Sequence, residues 1–167
     1  EQKFASVFNY APDIMVIARR ETGQIITVNR AFEEQLGIST TEALGKTGSE
    51  LGVWGAQVVI PELLERLQNE ILQNMEVPLI RRNGQAFTGL LSAQPLQIGN
   101  SDAIILIVRD ISRLKETQQK LQASEEKFAK AFHASPDGML LTRIRDGQML
   151  EVNEGFSNIT GYSRQEA

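Results

Sequence analysis

The sequence predicts an α+β fold, a five-stranded antiparallel sheet with short helices on one face, flanked by an N-terminal helix and a long connector helix. Three observations lead there. Runs rich in β-branched residues come as a pair, then a set of helical patterns, then three more runs. The opening of the chain recurs near its end, and the stretch between the two copies carries leucines at heptad spacing.

In chain order, Phe4, Val7 and Phe8 mark an amphipathic helix that has to stop ahead of Pro12, because the residue before a proline is pushed out of helical geometry. Ile14 to Ala18 and Gln24 to Val28 read as strands joined by a turn at Thr22-Gly23. Asn29 stands where an N-cap belongs, ahead of a short helix with Phe32 and Leu36 inward and Gly37 at its end. Ser39 to Glu42 forms a capping box for another short turn. From Pro61 a stripe of Leu63, Leu64, Leu67 and Ile71 predicts the longest internal helix, running to about Gln73. Strands follow over Glu76 to Arg82, Ala86 to Ile98 and Ala103 to Arg109. Asn83-Gly84 supplies positive backbone angles for one hairpin, and Gly99-Asn100 turns the next. The last strand is apolar at nearly every position, so both of its faces need cover.

After Asp110, Leu114, Leu121 and Phe128 recur at heptad spacing among Lys, Arg, Glu and Gln, with Ile111 and Phe132 at the companion position and Gln118 and Glu125 interrupting it. A long helix with a broken coiled-coil seam is expected. Beyond it, sliding Glu1 onto Glu125 aligns the chain with itself, without a gap, to Ala167, at roughly two identities in five. Phe4 and Phe8 match Phe128 and Phe132, Pro12-Asp13 matches Pro136-Asp137, Val28-Asn29 matches Val152-Asn153, and Ser163 to Glu166 repeats the capping box.

The chain's 167 residues, 41% hydrophobic and 23% charged, suffice for a core, and a net charge of −4 with scattered basic residues argues against nucleic acid as a partner. Without cysteine, disulfides, thiolate catalysis and iron–sulfur clusters are excluded. No apolar run approaches the roughly 18 residues that span a bilayer, so no membrane contact is expected of this segment, which reads as a piece of a longer protein. Gly45-Lys46-Thr47 imitates the end of a phosphate-binding loop, but Thr40 stands where that loop needs a glycine. His133, the sole histidine, reads as a helix-surface residue, and Glu33-Glu34 and Glu125-Glu126 read as solvated faces; no metal site is expected.

Taken together, APD at Ala11 to Asp13, GQIITVNRAFEEQLG from Gly23 to Gly37, RRNGQAF from Arg81 to Phe87 and the Arg109-Asp110-Ile111-Ser112 ending, which resembles a DIT motif, resemble the PAS sensory family. The resemblance implies a PAS sensor domain with its flanking helix over 1–111, a signalling helix over 112–134 and the truncated start of a second PAS domain over 135–167. It implies a cytoplasmic, dimeric module of a bacterial-type signalling protein that is not itself an enzyme. Such a module detects a small molecule or cellular signal and relays it to an output domain in the same chain. A sensor histidine kinase of a two-component system is the first expectation; a diguanylate cyclase or phosphodiesterase region, or a ligand-free dimerisation and spacer module, are the alternatives.

Haem-binding relatives use a histidine of the long internal helix, absent here, and covalent flavin needs a cysteine, so neither is expected; noncovalent flavin stays open through Trp54, whose other reading is core packing. The expected pocket lining, taken from alternating strand positions and helix stripes, is Met15, Ile17, Ile26, Val28, Phe32, Leu36, Trp54, Leu67, Phe87 and Leu91, suited to a small apolar ligand or an empty core. Asp13 is expected to fix the turn into the first strand. By the resemblance, Asp110 couples sheet to connector through Arg81 or Arg82, with Asp110 or Ser112 capping the helix. A homodimer is expected through Phe4, Val7, Phe8, Leu114 and Leu121. The half-module from Phe128 onward should leave apolar residues between Met139 and Val152 without cover.

Overall fold

The computed structural model describes residues 2–162; the side chains of Phe4, Ile60 and Leu64, and the repeated capping box at Ser163, lie outside the described residues. The chain divides into two compact units, the first ending at Arg113 and the second beginning at Leu114.

In the first unit, helix α1 (Gln2–Tyr10) is followed by β1 (Ile14–Arg19) and β2 (Ile25–Val28), the short helices α2 (Arg30–Leu36) and α3 (Thr40–Ala43), then α4 (Ile60–Asn69), β3 (Leu72–Ile80), β4 (Ala86–Ile98) and β5 (Ser101–Asp110). All five strands pair antiparallel in the order β2-β1-β5-β4-β3. One face packs against α2, α3, α4 and the 47–59 loop and holds the main core, including Ile14, Val28, Phe32, Leu36, Leu67, Phe87 and Leu91. The other face carries a smaller cluster in which Phe8 of α1 covers Ile17 and Ala103, with Met15, Ile26 and Ile105 beside them.

Caps fix the local boundaries. Asn29 accepts from the Phe32 amide, and Gly37 closes α2 with a φ of 73° that a side chain would resist. Ser39 accepts from Glu42, but the Glu42 carboxylate pairs with Arg82, so the capping box at α3 is one-sided.

Two expected boundaries are corrected. The helix opened by Pro61 stops at Asn69 instead of running to Gln73; Ile71 is exposed, while Leu72, buried, starts β3 opposite Ala93. The thirteen-residue β4 offers a ladder that outweighs local helical periodicity, and β3 absorbs the misfit as an irregularity between Leu72 and Met75, where Asn74 has a φ of 53°. In the hairpin after β3, only Gly84 has a positive φ, with Arg81 bonded to Gln85 across a three-residue loop. Asn83 instead keeps a negative φ and its side chain accepts from Gln85, as in a turn ending in a glycine bulge.

The second unit contains most of α5 (Ser112–Ala134), then β6 (Leu140–Thr142), β7 (Met149–Val152) and α6 (Glu154–Thr160). β6 and β7 pair Leu140 with Val152 and Leu141 with Glu151, then slip before Thr142, as β1 and β2 pair Val16 with Val28 and Ile17 with Thr27 and slip before Ala18. Asn153 caps α6 as Asn29 caps α2. Unlike its counterpart, the β6–β7 sheet has two strands only, and Met139, Leu140, Leu141, Met149 and Leu150 are exposed, whereas Val152, expected to lack cover with them, is buried. An isolated hairpin is marginal in water. Amides of β6 and β7 are therefore expected to exchange in seconds to minutes in a dilute monomer while those of β5 persist for hours; comparable protection in both sheets would show that the half-module folds unaided.

Candidate ligand cavity and relay joint

β1 and β5 lie side by side, and the facing pairs Ile14–Val108, Val16–Leu106 and Ala18–Ile104 turn toward the helices. There they line a cavity of about 140 Å³, closed by Ile25 of β2, Phe32 and Leu36 of α2, Leu51, Val53 and Trp54 of the loop, Leu67 of α4 and Leu79 of β3. Polar lining comes from Arg20, Thr22, Thr47 and Ser49. The volume is below the roughly 300–1000 Å³ of pockets that enclose drug-sized ligands, so a flavin ring does not fit between these walls as they stand. An apolar cavity near 150 Å³ does take a benzene-sized guest.

Of the residues expected to line this space, Phe32, Leu36, Trp54 and Leu67 do so. Val28, Phe87 and Leu91 are buried in the surrounding core without lining it. Met15, Ile17 and Ile26 are corrected: they sit on the opposite face, under Phe8. The expected alternation is out of phase, since the residues one step away, Ile14, Val16, Ala18 and Ile25, are apolar too. The slip between Ile17 and Ala18 compounds the error by bringing Ile25 and Val28, three apart, to the same core.

At the exit of β5 the polar residues converge. The Arg81 guanidinium donates to the Asp110 carboxylate at 2.5 Å and to the Gln35 carbonyl at 2.6 Å, and stacks 4.2 Å above the Phe87 ring. Asp110 also accepts from the Ser112 amide at 2.9 Å, at the first turn of α5. The Ser112 hydroxyl does not cap the helix; it accepts from the Thr88 amide of β4 at 3.0 Å. Arg82 lies apart from Asp110: its side chain meets Glu42, and its amide donates to the Leu36 carbonyl at 2.9 Å. The carbonyls of Gln35 and Leu36, left without partners at the end of α2, are thus satisfied by the β3–β4 hairpin. One side chain, Arg81, joins the end of a cavity-lining helix to the residue that starts the connector.

Sequence reasoning missed a second pair here. Asp13, besides shaping the turn through its carbonyl, takes Arg109 in a bidentate grip at 2.8 and 3.1 Å, which holds the guanidinium above its usual pKa. Successive residues of β5 are therefore tied to different strands, Arg109 to the turn before β1 and Asp110 to the residue after β3.

Two acids elsewhere are tuned by hydrogen bonds. The Glu33 carboxylate accepts from the Thr40 amide, and that of Glu50 from the Thr47 amide at 2.7 Å and hydroxyl at 3.0 Å; both are held below the usual carboxylate range. A folded pKa below the unfolded one adds stability that is complete above the ordinary carboxylate pKa and is lost as pH falls through the folded value. The thermal midpoint is expected to be level above about pH 5 and to fall below it, with a shallower fall in Glu33→Gln/Glu50→Gln. An unchanged slope in that variant would assign the acid sensitivity to other groups.

The loop imitation at Gly45-Lys46 has a structural role, since both residues bond to the Ile25 backbone along the edge of β2. His133 packs edge-on to Phe132 and lies 3.7 Å from Glu151. Among the described residues no group of three or more His, Asp or Glu is placed to hold a metal ion, and no helix is long and apolar enough to cross a membrane.

Of the expected interface residues, Val7, Leu114 and Leu121 are 72%, 63% and 59% exposed. Phe8 is corrected: at 5% exposure it is spent on its own sheet, and the Phe4 side chain lies outside the described residues.

The PAS domain family profile matches residues 2–76 and 126–167. Sporulation kinase A of Bacillus subtilis (strain 168) is 28% identical over 138 residues, which is 79% of this chain and 22% of that protein's length. A domain of a sensory box sensor histidine kinase/response regulator from Geobacter sulfurreducens is similar in structure with a TM-score of 0.54 and 29% identity, over 65% of this chain and 92% of that one. The PAS domain of an HTR-like protein from Haloarcula marismortui, 21% identical, shares the fold with a TM-score of 0.56 over 66% of this chain and 90% of its own.

Proposed function

Because this chain belongs to the PAS domain family, we propose that it is the sensory region of a signalling protein, in which the cavity registers a small molecule and α5 relays the change to an output domain further along the same chain. The observation that carries this reading is the Arg81 joint, which ties the end of α2, whose Phe32 and Leu36 line the cavity, to Asp110 at the start of α5. The output favoured is a cytoplasmic sensor histidine kinase, by similarity to sporulation kinase A; in this reading residues 1–167 carry out no catalysis themselves. The rival is a ligand-free dimerisation and spacer module. Mass spectrometry of small molecules released from purified, denatured protein separates the two. A stoichiometric compound supports sensing, and its absence from protein purified under several growth conditions supports the spacer.

In this reading the relay runs through a partner helix in a homodimer, a proposal supported by the exposed apolar side chains of Val7, Leu114 and Leu121. The fragment is expected to sediment as a dimer at micromolar concentration, and Leu114→Glu/Leu121→Glu to weaken association at least tenfold. A double variant that stays dimeric would move the interface elsewhere, and a native monomer at all concentrations would remove it.

A further inference from the structure

We infer that the cavity takes a compact monocarboxylate, an apolar body of about six carbons inside and the carboxylate at the rim by Arg20; this rests on the sensory reading above. Volume sets the body, because 140 Å³ walled by isoleucine, leucine, valine and phenylalanine matches a single six-membered ring. The rim sets the head. Arg20 donates through Nε at 3.0 Å and through Nη2 to one acceptor, the Gln68 carbonyl of α4, and among the described residues no carboxylate pairs with it. The Trp54 indole N–H and the Ser49 hydroxyl, also on the lining, have no protein partner among the described residues. Glu50 is the acid of that loop, but its carboxylate is taken up by the Thr47 amide and hydroxyl, and Lys46 stands beside it. The lining therefore offers free N–H and O–H donors together with a guanidinium that no acid neutralises among the described residues, and a carboxylate is the ligand group that answers it.

The feature is particular to the first unit. Ile144 stands in the second copy where Arg20 stands in the first, and it is fully exposed. Trp54 is positioned by Gly48, where a Cβ would come within 2.7 Å of the indole nitrogen. An alanine there must push the indole aside.

Methyl NMR of the 167-residue chain, titrated with benzoate and separately with toluene, tests this. Benzoate is expected to shift the Ile14, Ile104 and Val108 methyls and to bind at least tenfold more tightly than toluene. Arg20→Met should weaken benzoate tenfold or more and leave toluene unchanged, Arg20→Lys should fall between, and Gly48→Ala should weaken benzoate through the displaced indole. Toluene binding as well as benzoate, or Arg20→Met weakening both alike, would overturn the carboxylate assignment and leave the sensory reading standing. If neither probe reaches the cavity methyls, the assignment is overturned, and the sensory reading is decided separately by the mass spectrometry of released compounds.

Discussion

Replacing Asn29 with alanine is expected to destabilise the first unit by about 3 kcal/mol, several times the effect of an ordinary helix cap. Asn29 is 1% exposed and uses both ends of its amide. Its oxygen accepts from the Met15 amide at 2.9 Å and the Phe32 amide at 3.1 Å, and its nitrogen donates to the carbonyls of Asp13 at 2.9 Å and Ala11 at 3.4 Å. Alanine takes this partner from the Met15 amide and the Asp13 and Ala11 carbonyls where water reaches poorly, each at about 1 kcal/mol or more, while the Phe32 amide keeps its bond to the residue 29 carbonyl. Asn29→Asp keeps the two accepted bonds but sets a charge against two carbonyls, and a similar loss at neutral pH is expected. Trp54, the sole tryptophan, lies in this unit and reports its unfolding by fluorescence. The urea midpoint should fall by about 1–2 M at constant slope. A shift under about 0.5 M would mean that the turn relaxes around the gap. Asn153→Ala, in the second unit, should leave the Trp54 transition in place.

Asp110→Ala is expected to cost about 2 kcal/mol, roughly half from the lost cap on Ser112 and half from the pair with Arg81. The side chains of that pair are 18% and 26% exposed, so its strength lies above a surface ion pair and below a buried one. More telling is where the damage goes: amide protection should fall in the first turn of α5 while the cavity walls keep theirs. A double-mutant cycle between Arg81 and Asp110 should give a coupling near 1–2 kcal/mol, and one between Arg82 and Asp110 a coupling near zero. If Arg82 couples to Asp110 as strongly as Arg81 does, the joint is misassigned.

How far the sequence could be read depended on whether a residue type had one physical use or two. The Asn29 side chain suits a cap, and Gly37 and Gly84 suit positions that need a positive φ; each is found in that place. Asp110 was legible as a cap, but only the folded chain distinguishes Arg81 from its neighbour Arg82, since alternation along the hairpin sends one to Asp110 and the other to Glu42. The cavity was half legible. Phe32, Leu36 and Leu67 stand on helices whose other faces are polar, whereas β1 and β5 are apolar on both faces because α1 covers the second one. Charged residues near their ends hold the missing phase. Arg19 is exposed opposite Ala103, and Arg109 is exposed beyond Ile105 and Ile107, so the alternate residues Ile14, Val16, Ala18, Ile104, Leu106 and Val108 must point the other way.

The matched hairpins have a cost during folding. β1–β2 and β6–β7 share their pairing, their slip and their asparagine cap, so a chain that has assembled β3, β4 and β5 presents a strand edge that either hairpin can dock against. Gly138 replaces Ile14 in the second copy and removes one side chain that the docked hairpin would bury, which favours the native choice without forbidding the other. Misassembly between similar neighbouring repeats is a known failure of such chains, and here the wrong hairpin would have to detach before the right one could enter. Refolding is accordingly expected to divide into a direct route and a slower one through this trap, in proportions set by which hairpin arrives first.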